Sequence, residues 1–460
     1  MQLTNKTWDE LKAGDTASFK RAVTAKDLYL FAHASGNVNP LHLPSNELGS
    51  TGPASVAPSM WVGSLVSSLL GNVLPGPGTL YLEQSFQFVE RARLGDVLTV
   101  CVRLLDKLVK PQVLFETSIT DQNNRLIATG QAKVSAPTTT VTINQTDLPG
   151  LTLETHDHFT KLLELTKNRP PMTCAVVCPT DQNSLAGALL ARDHQLITPV
   201  LIGPESIIRG IAQKHDLKLD GIEIVDIGLD REAARTAVEM VHQARVRSIM
   251  KGNLHSDDLL GQVVKREGGL RGKRRISHAF VLDVPTQPEP IIISDAAINI
   301  APDLVTKVDI TQNAIDLARA CGMEKPRVAI LSAVETVNPN IPSSMEAAII
   351  AKMAERGQIK GGLVDGPLAM DNAIDMGAAR DKHIESGVAG QAQVLIVPNL
   401  EAGNMLAKQL TFVSHAQPAG LVLGARVPVM LTSRADNEQA RLFSCVLAAL
   451  YSDWLKAQAE

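Results

Sequence analysis

From Met172 onward, short apolar runs alternate with helical stretches, and this alternation is the strongest constraint in the sequence. CAVVCP, PVLIG, IEIVDIG, SIMKG, RRISHAFVLDVP, PIIISD, RVAILS, GLVDGP, VLIVPN, GLVLG and VPVMLTS read as buried strands. Most are separated by stretches such as NSLAGALLARDH and REAARTAVEMVHQARV, which read as helices. Strand–helix alternation implies a largely parallel sheet with helices on both faces. Gly and Pro stand at the strand ends, where the ligand loops of such sheets lie. The clearest unit is VLIVPNLEAGNMLAKQL, residues 394–410. It reads as a strand, a tight turn and the first turns of a helix, with backbone N–H groups aimed above the sheet. That place suits phosphate, and Asn399, Gly403 and Asn404 are its candidate binding residues.

The first 140 residues follow a different pattern. The stretch 24–35 reads as a short amphipathic helix with Thr24 as its cap, followed by the polar loop GNVNPLH. A helix over about 59–70 is apolar nearly all round and is expected to be buried. Four strand-like runs follow, at 79–89, 97–105, 113–120 and 126–134, divided by turn residues. The economical packing is an antiparallel sheet curled round the buried helix. The expected division is therefore 1–140, a linker with an entry helix over 141–170, and 171–460.

Composition excludes several functions. Lys and Arg total 44 against 48 Asp and Glu, a net charge of -4, and only 3% of residues are aromatic. Neither a basic surface nor a base-stacking one is expected, so nucleic acid is not an expected partner. The five cysteines are scattered, with no redox or zinc spacing, and no metal site is expected. No apolar run approaches ~18 residues and the N-terminus lacks an apolar leader core, so a cytoplasmic protein without a membrane span is expected. Walker A and GxGxxG fingerprints are missing, which weakens kinase and nicotinamide readings.

Polar residues crowd the turns that follow the strands. Lys251 and Asn253 follow SIM; Asp295 and Asn299 follow PIIIS; Ser332 and Glu335 follow RVAIL. Asp365 and Asp371 flank GPLAM, and Ser433, Arg434 and Asp436 follow VMLT. In a parallel sheet these turns share one edge, and Lys251 with Arg434 there favours an anionic ligand.

Two family resemblances follow from these residues. FAHASGNVNPLH, the apolar helix, PGPGTLYLEQSFQFVERARLGD and LTV resemble the MaoC-like hotdog family, over about residues 10–137. That family includes (R)-specific enoyl-CoA hydratases, whose loop SGDxNPxH uses an Asp and a His on water. Here His42 and Asn39 are kept, but the Asp position is Asn37. An amide can orient water but cannot take its proton, so hydration loses its base. The other expectations for this half are an acyl-CoA-binding or dimerising module, with His42 as a structural loop histidine.

From about 160 to 455 the chain resembles the phosphate acetyl/butyryltransferases. The motifs are MKGNLHSDDLL, GGLRGKRRISHAFVLDVP, IISDAAINIAPDL, RVAILSAVETVNPNIPSS, VDGPLAMDNAI, VAGQAQVLIVPNLEAGNMLAKQL, GLVLGARVPVML and TSRAD. The resemblance implies an α/β fold of two subdomains, the second near 310–424 inserted in the first, after an α+β hotdog. It implies the reaction acyl-CoA plus phosphate to acyl phosphate plus CoA, with no further cofactor. Arg434 is assigned to phosphate, as a planar bidentate fork. Ser433 is assigned to the thioester carbonyl. Acetyl-specific members carry an Asp seven residues beyond that Ser; here the position is Ala440, leaving Asp436 as the candidate acid–base group at the thiol. Arg271 and Arg275, in the basic run 271–275, either hold the phosphates of CoA or form a solvated loop. A non-catalytic acyl-CoA sensor is the alternative reading, and a homo-oligomer, at least a dimer, is expected.

Overall fold

The structure is a computed structural model and describes residues 2–44, 55–144, 157–432 and 436–458. The chain divides into two compact units, Met1–Leu153 and Glu154–Glu460.

The first unit runs β1 (Gln2–Thr4), β2 (Thr16–Ala22), α1 (Ala25–Ser35), α2 (Ser59–Asn72), β3 (Leu80–Phe88), β4 (Val97–Lys107), β5 (Gln112–Thr120), β6 (Leu126–Ser135) and β7 (Thr142–Asn144). Five strands form an antiparallel sheet in the order β2-β4-β5-β6-β3. Val66, Leu69 and Leu70 of α2 are buried in one cluster with Val100, Val102 and Phe115. This is the hotdog arrangement, a helix wrapped by an antiparallel sheet. Thr24 caps α1 through a reciprocal pair: its hydroxyl accepts from Asp27 N, and the Asp27 carboxylate accepts from Thr24 N. Two details differ from expectation. α2 leaves Ser64, Ser67 and Ser68 exposed, so only one face is buried. β2 went unread because TASFKRA is a mostly exposed sheet edge with weak alternation.

The second unit opens with α3 (Asp157–Glu164), within the expected entry helix. A regular alternation follows: β8 (Met172–Val177), α4 (Gln182–Asp193), β9 (Ile197–Gly203), α5 (Glu205–Lys214), β10 (Glu223–Asp226), α6 (Asp230–His242), β11 (Ser248–Lys251) and α7 (Ser256–Val263). A hairpin, β12 (Ser277–Asp283) and β13 (Ile291–Ser294), breaks the rhythm. Alternation resumes with α8 (Leu304–Ala320), β14 (Arg327–Leu331), α9 (Pro342–Glu355), β15 (Leu363–Leu368), α10 (Met370–Ile374), α11 (Met376–Asp381), β16 (Val394–Ile396) and α12 (Leu400–Phe412). It ends with β17 (Gln417–Leu423), β18 (Val429–Met430) and α13 (Glu438–Ala457).

These strands form one sheet in the order β10-β9-β8-β11-β18-β17-β12-β13-β16-β14-β15. Neighbours are parallel except at β18/β17, β17/β12 and β12/β13. Three successive reversals leave the β10–β18 block running opposite to the β13–β15 block. The expectation that the polar turns share one edge is therefore corrected. The turns after β8, β11 and β18 lie at one edge, and those after β13, β14, β15 and β16 lie at the other. The span 310–424 contains β14 to β17, while β12 and β13 join the same half of the sheet from upstream. α13 buries eleven of its twenty residues, with Phe443 stacked on Phe159 at 4.4 Å between ring centroids.

Candidate functional site

At the first edge, β8, β11 and β18 end side by side, with Lys251 level with Val177 and Met250 level with Met430. Beyond Lys251 the chain presses against the end of β8. Gly252 N donates to Val177 O and Asn253 N to Cys178 O, both at 2.8 Å. A Cβ on Gly252 would lie 2.3 Å from Cys178 O, so only glycine allows this approach. Lys251 is 2% exposed, and its Nζ donates to Thr432 O at 3.2 Å. Burying an ammonium is costly unless polar groups receive it, and this one is received by main-chain carbonyls. Asn253 reaches Thr180 Oγ1 at 3.5 Å.

Ser433 and Arg434 lie outside the described residues. They follow Thr432 directly in the chain, and half-buried Asp436 begins the next described stretch. Asn437 then caps α13 by accepting from Ala440 N at 2.9 Å. Sequence reasoning missed Arg441, one turn further on. It is 0% exposed and donates from Nη1 to Lys251 O at 2.9 Å and to Thr432 Oγ1 at 2.6 Å. Burial pushes its pKa down, while the nearby Asp181 and Asp436 carboxylates oppose that change. An arginine within a helical pattern reads as solvated; the one available signal was the largely apolar run LFSCVLAAL after it. His278 on β12 was also missed. It is fully buried, neither ring nitrogen completes a hydrogen bond among the described residues, and burial pushes its pKa down to about 4.

The opposite edge holds most of the other candidates, and they are largely engaged with the protein. The Asp295 carboxylate accepts from the backbone N–H groups of Ala297, Ile298 and Asn299 at 2.9 to 3.1 Å. Burial pushes its pKa up, against those donors. The Asn299 amide donates to Ile276 O at 2.9 Å, and the Asn404 amide to Ala296 O at 3.3 Å. Asn399 caps α12 by accepting from Ala402 N at 2.9 Å, and Leu400 N donates to Ile300 O. The 394–410 unit thus forms as expected, but several first-turn donors are already used inside the fold. A Cβ on Gly403 would meet Asp295 O at 2.9 Å and Ala296 Cα at 3.1 Å, so this glycine lets α12 dock. Asp365 accepts from Gly366 N on β15, seven strand positions from β11. At ~4.8 Å per strand that is roughly 30 Å from Lys251 along the sheet. Lys382 bridges Glu335 and Asp371 at 3.1 and 3.3 Å.

Arg271, Arg275 and Asn299 do come together. With Lys273 and Thr306 they line a groove of about 510 Å³ at this second edge. Arg274, also in the groove, is tied to Asp316 at 2.7 Å, whereas Arg271 and Arg275 are exposed. In the first unit, Asn37 is exposed and its side chain accepts from Asn39 N at 3.2 Å. His42 Nδ1 lies 2.8 Å from Val56 O. Among the described residues, no group of three or more His, Cys, Asp or Glu could hold a metal.

Comparison with known proteins places these residues in context. Residues 229–449 match the model of the family described as phosphate acetyl/butaryl transferase. Over 294 residues the chain is 55% identical to a phosphate acetyltransferase of Rhizobium meliloti, covering 64% of this chain and 93% of the relative. Over 293 residues it is 39% identical to a phosphate butyryltransferase of Clostridium beijerinckii, covering 64% of this chain and 97% of that one. A solved branched-chain phosphotransacylase from Enterococcus faecalis V583 aligns at 27% identity with a TM-score of 0.52, covering 61% of this chain and 99% of that one.

Proposed function

The chain belongs to the phosphate acetyl/butyryltransferase family, and from that premise we propose that Lys251, Ser433, Arg434 and Asp436 make its acyl-transfer centre. The reaction is acyl-CoA plus phosphate to acyl phosphate plus CoA. A phosphate oxygen attacks the thioester carbonyl, the C–S bond breaks, and the departing thiolate takes a proton. Arg434 grips the phosphate dianion through a planar fork, and Ser433 donates to the carbonyl oxygen as charge develops there. Asp436 is the carboxylate for the thiol proton, since position 440 is alanine. Holding both reactants in line supplies much of the acceleration. The reaction draws on no group beyond the two substrates.

One observation carries this reading. The buried Lys251 ammonium meets the Thr432 carbonyl at the strand ends, one residue before Ser433 and Arg434. The test measures thiol release from short acyl-CoAs with and without phosphate. Phosphate-dependent release with the wild type, and a phosphate KM raised at least about tenfold by Arg434→Ala, is expected. An unchanged phosphate dependence in Arg434→Ala would sink the assignment. Arg271 and Arg275 are proposed to hold the phosphates of CoA in their groove. Replacing both with alanine is then expected to raise the KM for acyl-CoA and spare that for phosphate.

The hotdog unit is proposed not to hydrate enoyl-CoA, because Asn37 cannot serve as a base. Hydration that appears only in Asn37→Asp supports this; hydration by the wild type refutes it. A cytoplasmic homo-oligomer is proposed as well. All five cysteines are free, four of them buried, which suits a reducing compartment. Edge strand β3 exposes Leu80, Tyr81 and Leu82, a surface suited to a second copy. Light scattering that gives the mass of a single chain would exclude the oligomer. Among the described residues, no helix is long and apolar enough to cross a membrane.

A further inference from the structure

The backbone pairing of β11 with β18 is very short, covering Ile249 with Val429 and Met250 with Met430. Beyond it, side chains hold the two strand ends together. Arg441 Nη1 donates to Lys251 O on one strand and to Thr432 Oγ1 on the other, at 2.9 and 2.6 Å. Thr432 Oγ1 donates to the same Lys251 carbonyl at 3.3 Å. Lys251 Nζ returns to the Thr432 carbonyl at 3.2 Å. The result is a closed ring of polar contacts at the ends of β11 and β18, one residue before Ser433 in the chain.

Such a ring is an expensive way to stabilise a core. A well-packed apolar side chain of similar volume usually serves as well as a buried charge or better. Room has nevertheless been made for the arginine. A Cβ on Gly187 of α4 would lie 2.7 Å from Arg441 Cδ and 2.8 Å from its Cβ. Moreover, Arg441 belongs to the same stretch of chain that it grips. Its guanidinium bonds Thr432, directly before residues 433–440 in the chain, while its own backbone, directly after them, is part of α13. That stretch carries Ser433, Arg434 and Asp436.

We propose that Arg441 is a positioning residue of the acyl-transfer centre, which holds Lys251 and Thr432 in fixed relation so that the phosphate-binding groups stay aligned. This rests on the reading of Lys251, Ser433 and Arg434 as the phosphate site. A displaced phosphate site costs phosphate affinity first, because acyl-CoA has many other contacts.

The test is steady-state kinetics on the full chain with thermal unfolding in parallel, for Arg441→Lys, Thr432→Val, Thr432→Ser and the Arg441→Lys/Thr432→Val double variant. Lysine keeps the charge but loses the fork, and valine removes the hydroxyl at nearly constant volume. Arg441→Lys and Thr432→Val are expected to raise the phosphate KM roughly tenfold and leave the acyl-CoA KM within about twofold. Thr432→Ser, which keeps the hydroxyl, is expected to restore the wild-type phosphate KM. The double variant is expected to be little worse than either single change, since both break one ring. Should Arg441→Lys fail to fold, the Thr432 pair decides alone. A wild-type phosphate KM in Thr432→Val overturns the proposal. So does a rise in both KM values in step with a lower Tm, the mark of a merely structural role. No phosphate-dependent CoA release from the wild type would instead overturn the transferase reading on which the proposal stands.

Discussion

His278 shows how burial turns a single residue into a pH liability. Its ordinary pKa is 6.5, and in the fold burial lowers it to about 4. The ring is therefore neutral in the folded protein at neutral pH. As pH falls below about 6.5 the unfolded chain takes up a proton that the folded ring refuses until about 4. Stability is thus complete above that window and is lost within it, by about 3 kcal/mol in all. Thermal unfolding at pH 7 and pH 4.5 checks this. His278→Leu is expected to lose less Tm than the wild type between those values; an equal loss in both would assign the acid sensitivity elsewhere. At the same scale, Asn37 shows what one atom decides: its amide oxygen accepts from Asn39 N, but an amide cannot take up a proton as a carboxylate can.

Among the elements, α12 docks by a close backbone approach. It docks through Gly403 onto the backbone of Asp295 and Ala296, and its N-terminus is closed by Asn399. Gly403→Ala adds a methyl group against main-chain atoms that cannot swing aside. A loss of 1–3 kcal/mol is expected, read as a shift in the denaturation midpoint. A variant as stable as the wild type would mean that α12 packs more loosely than this. Asn399 and Gly403 in 394–410 therefore serve helix closure and docking. Their composition could not separate these roles from anion capture, because both ask for a small residue and a local cap at a helix start.

Across the whole molecule, the two units carry separate cores, one around α2 and the others on the faces of the eleven-stranded sheet. The family match, 229–449, lies wholly in the second unit. Residues 154–460 expressed alone are expected to release CoA in the presence of phosphate at a rate within about fivefold of the full chain. Complete loss, in a fragment shown to be folded, would mean that the hotdog unit is required for transfer.

Local pattern was enough to place β3 to β6, all the strands of the second unit and several of the helices. Period-two runs gave β3 to β6, apolar runs separated by helices gave the second unit, and Thr24 announced the start of α1. The sequence also placed Lys251 directly after a strand and Ser433 with Arg434 after another, because strand–turn–helix order is written residue by residue. What it could not contain was strand direction across the sheet. Two local hairpins, β12–β13 and β17–β18, reverse one half against the other only because β12 pairs with β17, between residues more than a hundred positions apart. That reversal moved Asn299, Asp365, Asn399 and Asn404 away from Lys251. The same long-range packing buried Arg441 and His278, whose residue types suggest solvent. Burial is a property of what surrounds a side chain, and here only the tertiary structure supplied the surroundings.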